Sequence, residues 1–356
     1  MGRSALSTGL RLLSVVLPNF NHARQLPVAI QALLGQSRAP DEIIVVDDGS
    51  TDDSMEVLSA FAAEAPTIRV LENRRNLGVI PSLNRGLEAV RGRYVYFAAA
   101  DDWVLPGFFA SALRWLESVE DLRLFCGTSA LVDGMSGQRL GLRPAAMPRY
   151  WAGPVSPTRA KRLLHVTDNW ILTGASVFRH DAVTWSGAFD ERLGSFADGF
   201  MARKIALEFG FFFDPQVVAA WAVYPESVSR RTASDPEAAA AALRSLPDCV
   251  AGDTAFPDWY SPLLARRWRF AVGRIAAAER PPNRAALAAV ALGSPIDDLV
   301  LARICPSLPR RLAQVLGLAW LSCRTRSTAP RGLARVAISA GRQRLTTRVS
   351  SAARPF

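Results

Sequence analysis

Two aspartate pairs close two apolar runs, and these residues have the most chemistry to offer. Ile43-Ile44-Val45-Val46 leads into Asp47-Asp48, and Tyr94-Val95-Tyr96-Phe97 leads through Ala98-Ala99-Ala100 into Asp101-Asp102. Carboxylates taken out of water at one sheet edge repel one another unless a cation or hydrogen-bond donors offset their charge. A divalent metal holding a diphosphate is a natural compensator, because hard cations take carboxylate and phosphate oxygens together. The first pair also has a plainer reading. Asp-Gly-Ser-Thr-Asp after a strand is a strand-to-helix turn, with Gly49 allowing the bend and Ser50 or Thr51 capping the helix. The second pair differs, since three alanines leave room for close ligand approach and Trp103 and Pro106 stop the strand.

The elements that must hold these pairs follow from alternating apolar and amphipathic stretches. Residues 13–17 read as an apolar strand and 26–34 as a helix; strand 42–46, helix 54–63, strand 68–71, helix 80–90 and strand 94–98 follow. This is a βαβ series. Strands that are almost wholly apolar are buried on both faces, which predicts a mostly parallel sheet covered by helices. Ligands bind such sheets beyond the carboxyl ends of the strands, the edge where both aspartate pairs fall.

Four blocks, in this order and spacing, carry a family resemblance: Ser14 to Asn21, Val45 to Asp52, Asn76-Leu77-Gly78 with Asn84-Arg85-Gly86, and Gly92-Arg93-Tyr94-Val95 running into Asp101-Asp102. They resemble family 2 glycosyltransferases of the GT-A fold. Gly174 to Arg179, Gly187 to Glu191 and 198–210 resemble the acceptor half of the same domain, so the likeness covers roughly residues 12–230. It implies a Rossmann-like sheet and an inverting, non-processive transfer of a sugar from a nucleoside-diphosphate sugar, UDP by family habit, to an acceptor hydroxyl. Cell-surface polysaccharide or glycolipid synthesis is the implied setting. Pro18, Asn21, Asp47, Asp48, Asn84, Asp101 and Asp102 are implied to bind the nucleotide sugar, with Asp48 on the base or ribose. Asp101 is implied to ligate Mg²⁺ or Mn²⁺ and Asp102 to touch the sugar or support the ligand. Asp198, opening a helix, is implied as the base; a helix cap is the plainer role for it, and the two are compatible.

The chain departs from the family pattern at three places. The first position of the Asp-x-Asp metal motif is Ala99. Leu83 stands where many relatives carry an arginine, and a late histidine would align near Tyr224. These departures keep a second reading open, a nucleotide-sugar binding protein with weak or absent turnover. Phosphoryl transfer of another class is disfavoured because a Walker-type loop is lacking and the only lysines are Lys161 and Lys204. Arg266-Arg267-Trp268 lacks the glutamine of a processive QxxRW motif.

Charge divides the chain. Of 356 residues, 49% are hydrophobic and 21% charged, which suits a globular core. The net charge of +10 is uneven: residues 261–356 hold 17 Arg and no Lys against Glu279, Asp297 and Asp298, giving +14 and leaving −4 for the rest. The expected organisation is a catalytic domain over 1–235, a linker over 236–260 and a basic, Arg/Ala-rich helical region over 261–356. Helices are expected at 263–278, 285–292, 299–304, 312–321 and 333–338. The apolar run between Arg311 and Arg324 is too short to span a bilayer. Arg-flanked apolar helices suit the surface of an anionic inner leaflet with Trp320 at the interface, and a solvated basic face is the alternative. Nucleic acid is not expected, since no binding motif accompanies the basic residues. Cys126, Cys249, Cys305 and Cys323 are too scattered for a zinc or redox motif. They suit a reducing cytoplasm, and no export signal precedes the first strand.

Overall fold

The computed structural model describes residues 12–144, 146–167, 171–224 and 234–327. The helix expected at 333–338 lies outside them. The chain divides into two compact units. The first comprises 1–160, 169–189 and 198–223, and the second 161–168, 190–197 and 224–356.

The first unit is built as the apolar pattern requires. β1 (Leu13–Asn19), α1 (Leu26–Leu34), β2 (Glu42–Asp47), α2 (Ser54–Glu64), β3 (Ile68–Glu72), α3 (Val79–Glu88) and β4 (Tyr94–Phe97) alternate, and every residue of β2 and β4 is buried. β1 lies between β2 and β4, all parallel, with β3 outside β2. Leu17, Val45, Tyr96, Phe108 and Phe109 fill one side of this sheet with α1 and α2. On the other face α3 comes very close. A Cβ on Gly86 would stand 2.4 Å from Val16 Cγ1 and 3.2 Å from Val46 Cγ2, so glycine is the residue that allows this helix to seat.

Beyond β4 the sheet becomes mixed. β5 (Trp103–Val104), α4 (Phe108–Ser118), β6 (Leu124–Asp133), β7 (Arg139–Arg143), β8 (Gly153–Val155), α5 (Pro157–Val166), β9 (Ser176–Arg179), α6 (His180–Ser186), α7 (Ala197–Phe209) and β10 (Phe211–Val223) complete it. The strand order is β3-β2-β1-β4-β9-β6-β10-β5, with β7 also paired to β6 and β8 to β10. β9 runs antiparallel to β4, Val177 opposite Tyr96 and Arg179 opposite Tyr94. Its amino end therefore lies at the carboxyl end of β4. The turn Thr173–Ala175, which leads into β9, thus reaches the edge that carries Asp101.

The second unit is helical in its described part: α8 (Pro236–Val250), α9 (Tyr260–Ala276), α10 (Arg284–Ala289), α11 (Pro295–Asp298), a π-helical turn (Leu299–Ile304), α12 (Cys305–Ser307) and α13 (Arg310–Thr325). Asp235, Asn283 and Ser294 cap α8, α10 and α11 by accepting backbone N–H bonds. Val272, Ala276, Leu287, Leu292, Leu301 and Leu321 form the core. Arg267 is buried, donating to Leu164 O at 2.5 Å, and Trp268 stacks on Phe196. These two residues pack the helices. Trp320 also turns inward: its indole donates to Asp297 Oδ1 at 2.9 Å, so the interfacial position expected for it is not the one it takes. Among the described residues no helix is long and apolar enough to cross a membrane.

Candidate active site

The first aspartate pair is satisfied by hydrogen-bond donors. Asp47 Oδ1 accepts from Asn19 Nδ2 at 2.7 Å and Ser50 Oγ at 2.6 Å, and its Oδ2 accepts from Ser50 N at 2.9 Å. Asp48 Oδ1 accepts from Asn73 Nδ2 at 2.7 Å and Leu77 N at 2.9 Å, while Oδ2 accepts from Gly78 N at 2.8 Å. Both carboxylates are buried. Asp48 is expected to touch the base or ribose. Its three donors also make it the anchor of the loop 73–78 that leads into α3, with spare lone pairs left toward a ligand. Gly49 has φ +70°, and a Cβ there would sit 2.8 Å from the Arg75 backbone, so this turn and the loop are fitted to each other.

Asn21 ties the end of β1 to the same turn. In a left-handed conformation (φ 57°), it accepts from Thr51 N at 2.7 Å through Oδ1 and donates its own N–H to Ser50 Oγ at 2.9 Å. The next residue faces the second aspartate pair. β1 and β4 are adjacent and parallel, so the segment after β1 runs beside the segment after β4. Among the described residues the buried His22 Nδ1 meets no hydrogen-bond partner, and the imidazole's charge acts on Asp101.

Asp101 and Asp102 are less well compensated than the first pair. Burial pushes the Asp101 carboxyl above its ordinary range, and the His22 imidazole works against that. Asp102 is raised well above its ordinary range, first by burial and then by the charge of Asp101, against one bond from Ala222 N at 2.8 Å. Two adjacent desolvated carboxylates with few donors have the character of a cation site. Among the described residues no group of three or more His, Cys, Asp or Glu side chains forms a cage. An ion here would draw its remaining ligands from a diphosphate and water, as Mg²⁺ does.

Asp198 reaches the same edge from the acceptor half. It lies in the first turn of α7, where the helix dipole favours a negative charge. Its Oδ1 accepts from Gly199 N at 2.5 Å and its Oδ2 from Thr173 Oγ1 at 3.0 Å. Burial raises its carboxyl above the ordinary range, while these bonds and the Arg203 charge oppose the rise. The next residue after Thr173 links back to the second aspartate pair. Tyr96 OH donates to Gly174 O at 3.0 Å, and a Cβ on Gly174 would lie 4.0 Å from Asp102 Oδ2. One short turn thus joins the Asp101-Asp102 pair to Asp198.

Asn84 sits apart from this convergence in its bonding. Its Nδ2 donates to Phe189 O at 2.9 Å and its Oδ1 accepts from Phe189 N at 3.2 Å, so its amide pins α3 to the Gly187-Ala188-Phe189 loop. Leu83 is buried, and Arg85 donates to Glu72 O at 2.8 Å and to Asn73 Oδ1. Arg85 thereby braces Asn73, the residue that holds Asp48. Pro18 is half-buried at the end of β1, Cα-paired with Val46 one residue before Asp47. Thr173 was not a candidate from the sequence. Its only signal was a hydroxyl residue immediately before Gly174-Ala175-Ser176.

Comparison with known proteins bears on the family and the fold. Residues 14–176 match the model of Glycosyl transferase family 2. An uncharacterized glycosyltransferase of Escherichia coli, YibD, is 36% identical over 101 residues, 28% of this chain and 29% of that protein. The alignment therefore spans less than a third of the curated relative. Among solved structures, S. aureus TarS 1–349 in complex with UDP-GlcNAc superposes with a TM-score of 0.57 at 15% identity, over 94% of this chain and 92% of that one. The mannosyltransferase PcManGT of Pyrobaculum calidifontis, in complex with GDP-Man and Mn²⁺, gives 0.50 at 19% identity, over 94% and 88%. At these identities the likeness is one of fold.

Proposed function

We propose, from the match of residues 14–176 to the Glycosyl transferase family 2 model, that the chain transfers a sugar from a nucleoside-diphosphate sugar to an acceptor hydroxyl, with inversion at the anomeric carbon. The observation that carries this reading is the turn Thr173-Gly174, which has an under-compensated aspartate pair on one side and a half-buried, hydrogen-bonded carboxylate on the other. Inverting displacement needs a charge stabiliser for the departing diphosphate and a base for the incoming hydroxyl, on opposite sides of the reacting carbon.

In this reading Asp198 takes the acceptor proton. Asp101, with Asp102 beside it, would hold Mg²⁺ or Mn²⁺, which supplies Lewis-acid stabilisation of the leaving group when bound. Asp48 acts through structure, holding the amides of Leu77 and Gly78 so that the loop forms one wall of the nucleotide pocket. Pro18, Asn21 and Asp47 shape the opposite wall. Asn84 keeps the two halves of the domain in register through Phe189.

UDP and GDP sugars are the donors to test, since these are what the two structural neighbours hold. A lipid-linked or surface-glycan intermediate is the proposed acceptor, with the basic helical unit placed on an anionic inner leaflet. Titration calorimetry of UDP-GlcNAc, UDP-glucose and GDP-mannose with Mn²⁺ or Mg²⁺, followed by release of nucleoside diphosphate, tests the core of the reading. Metal-dependent uptake with slow release supports it. Ala99 and the buried Leu83 favour a second reading, and uptake with no release in the presence of any glycan acceptor would assign the chain to nucleotide-sugar binding. No uptake of any donor would sink both.

A further inference from the structure

We propose that the outer face of α13 is the surface by which the second unit lies on an anionic membrane. The inference rests on the membrane placement proposed above and gives it residues. α13 has an inner and an outer side. Trp320 and Arg324 bond to Asp297, and Leu321 is buried in the core, which fixes the inner side. On the outer side Leu312, Val315 and Leu318 are 57%, 66% and 41% exposed. With Ala319 they fall within an arc of about 120° on a helix of 100° per residue. Leu299 and Ile304 of the neighbouring π-helical turn are exposed as well.

Charge selects the occupant. Arg310 and Arg311 open α13 in sequence, and the exposed Arg326 follows its end. From Leu299 to Phe356 the chain contains 11 Arg and no Asp, Glu or Lys. A second copy of this face would bring like charge against like charge. Nucleic acid would satisfy the arginines and leave three large aliphatic side chains in water. An anionic bilayer satisfies both, with aliphatic groups entering the acyl boundary and guanidinium groups on lipid phosphates. With Trp320 held inward by Asp297, the aliphatic stripe is the part that inserts.

The test is flotation of the full chain with phosphatidylcholine vesicles, with and without an equal share of phosphatidylglycerol, alongside Val315→Asp/Leu318→Asp and Arg303→Ser/Arg326→Ser. Both double variants change exposed side chains, and an unchanged melting curve and unchanged binding of a nucleotide sugar in solution verify their folding. The expected result is recovery with anionic vesicles about tenfold above neutral ones, falling by about tenfold in the aspartate variant and by a smaller factor in the arginine variant. If the wild type floats with neither lipid, the membrane placement itself fails, while donor binding stands or falls separately. If wild type and aspartate variant float equally, the membrane placement survives and the assignment to α13 is overturned. Self-association in light scattering that the aspartate variant abolishes, or binding of a duplex oligonucleotide tighter than binding of anionic vesicles, would also overturn it.

Discussion

Thr173 Oγ1 donates to Asp198 Oδ2 at 3.0 Å, and this bond ties the base of the proposed reaction to the turn whose next residue faces Asp102. Its effect on protonation has a definite sign. A bond donated to a carboxylate stabilises the ionised form, so it opposes the rise that burial imposes on Asp198.

Replacing Asp198 by Asn should lower kcat by about 10²–10⁴ while leaving donor affinity unchanged, the range for loss of a positioned base. Thr173→Val should leave the base in place and move the acidic limb of kcat/KM to higher pH, because the carboxyl loses a bond to its charged form. A pH–rate profile of the two variants checks both statements. Wild-type turnover in Asp198→Asn would remove the base assignment.

The aspartate pair after β4 predicts where the ion goes. Asp101→Asn should weaken Mn²⁺ uptake in the presence of UDP by about tenfold or more, the scale on which even outer ligands act. Electron paramagnetic resonance of free Mn²⁺ reads this directly, without turnover. The corresponding change at Asp47, whose oxygens are filled by Asn19 and Ser50, should leave Mn²⁺ uptake without UDP unaltered.

Asp48→Asn puts an N–H₂ group against donors. The buried side chain would keep one acceptor for three N–H groups from Asn73, Leu77 and Gly78. The expected cost is about 2–3 kcal/mol, seen as a lower Tm, together with weaker donor binding as the loop 73–78 loosens. Unchanged stability with lost nucleotide binding would instead mark Asp48 as a direct ligand contact.

Asp297 gives the second unit a pH dependence. Its fully buried carboxyl accepts from Arg324 at 2.8 and 3.0 Å, from Ser294 and from Trp320, and these hold it well below the usual carboxylate range. A depressed group stabilises the fold above the unfolded value near 4 and loses that contribution as pH falls toward the folded value. Arg324 is half-exposed, so the ion pair itself is screened and the cap and indole bonds carry much of the effect. Asp297→Asn should cost about 2 kcal/mol at neutral pH and flatten acid melting between pH 4 and 2, as followed by circular dichroism.

Much of the first unit was legible from residue order. Strands 13–17, 42–46, 68–71 and 94–98 and their intervening helices lie within a few residues of the observed β1–α1–β2–α2–β3–α3–β4, because wholly apolar runs alternating with amphipathic ones have few other solutions. The second half was less legible. β6, β9 and β10 pair across long intervals, with β9 reversed between two neighbours, and such pairing leaves no short-range mark.

The sequence by itself determined the chemistry on offer: carboxylates after β2 and β4, a carboxylate opening α7, and a family pattern across the blocks that hold them. Only the tertiary structure decided how those carboxylates are compensated. Asp47 and Asp48 are filled by amide and hydroxyl donors from segments up to 30 residues away in sequence, whereas Asp101 and Asp102 are left with few. Whether a buried charge meets a donor depends on which distant segment folds against it, and local residue order does not contain that partner.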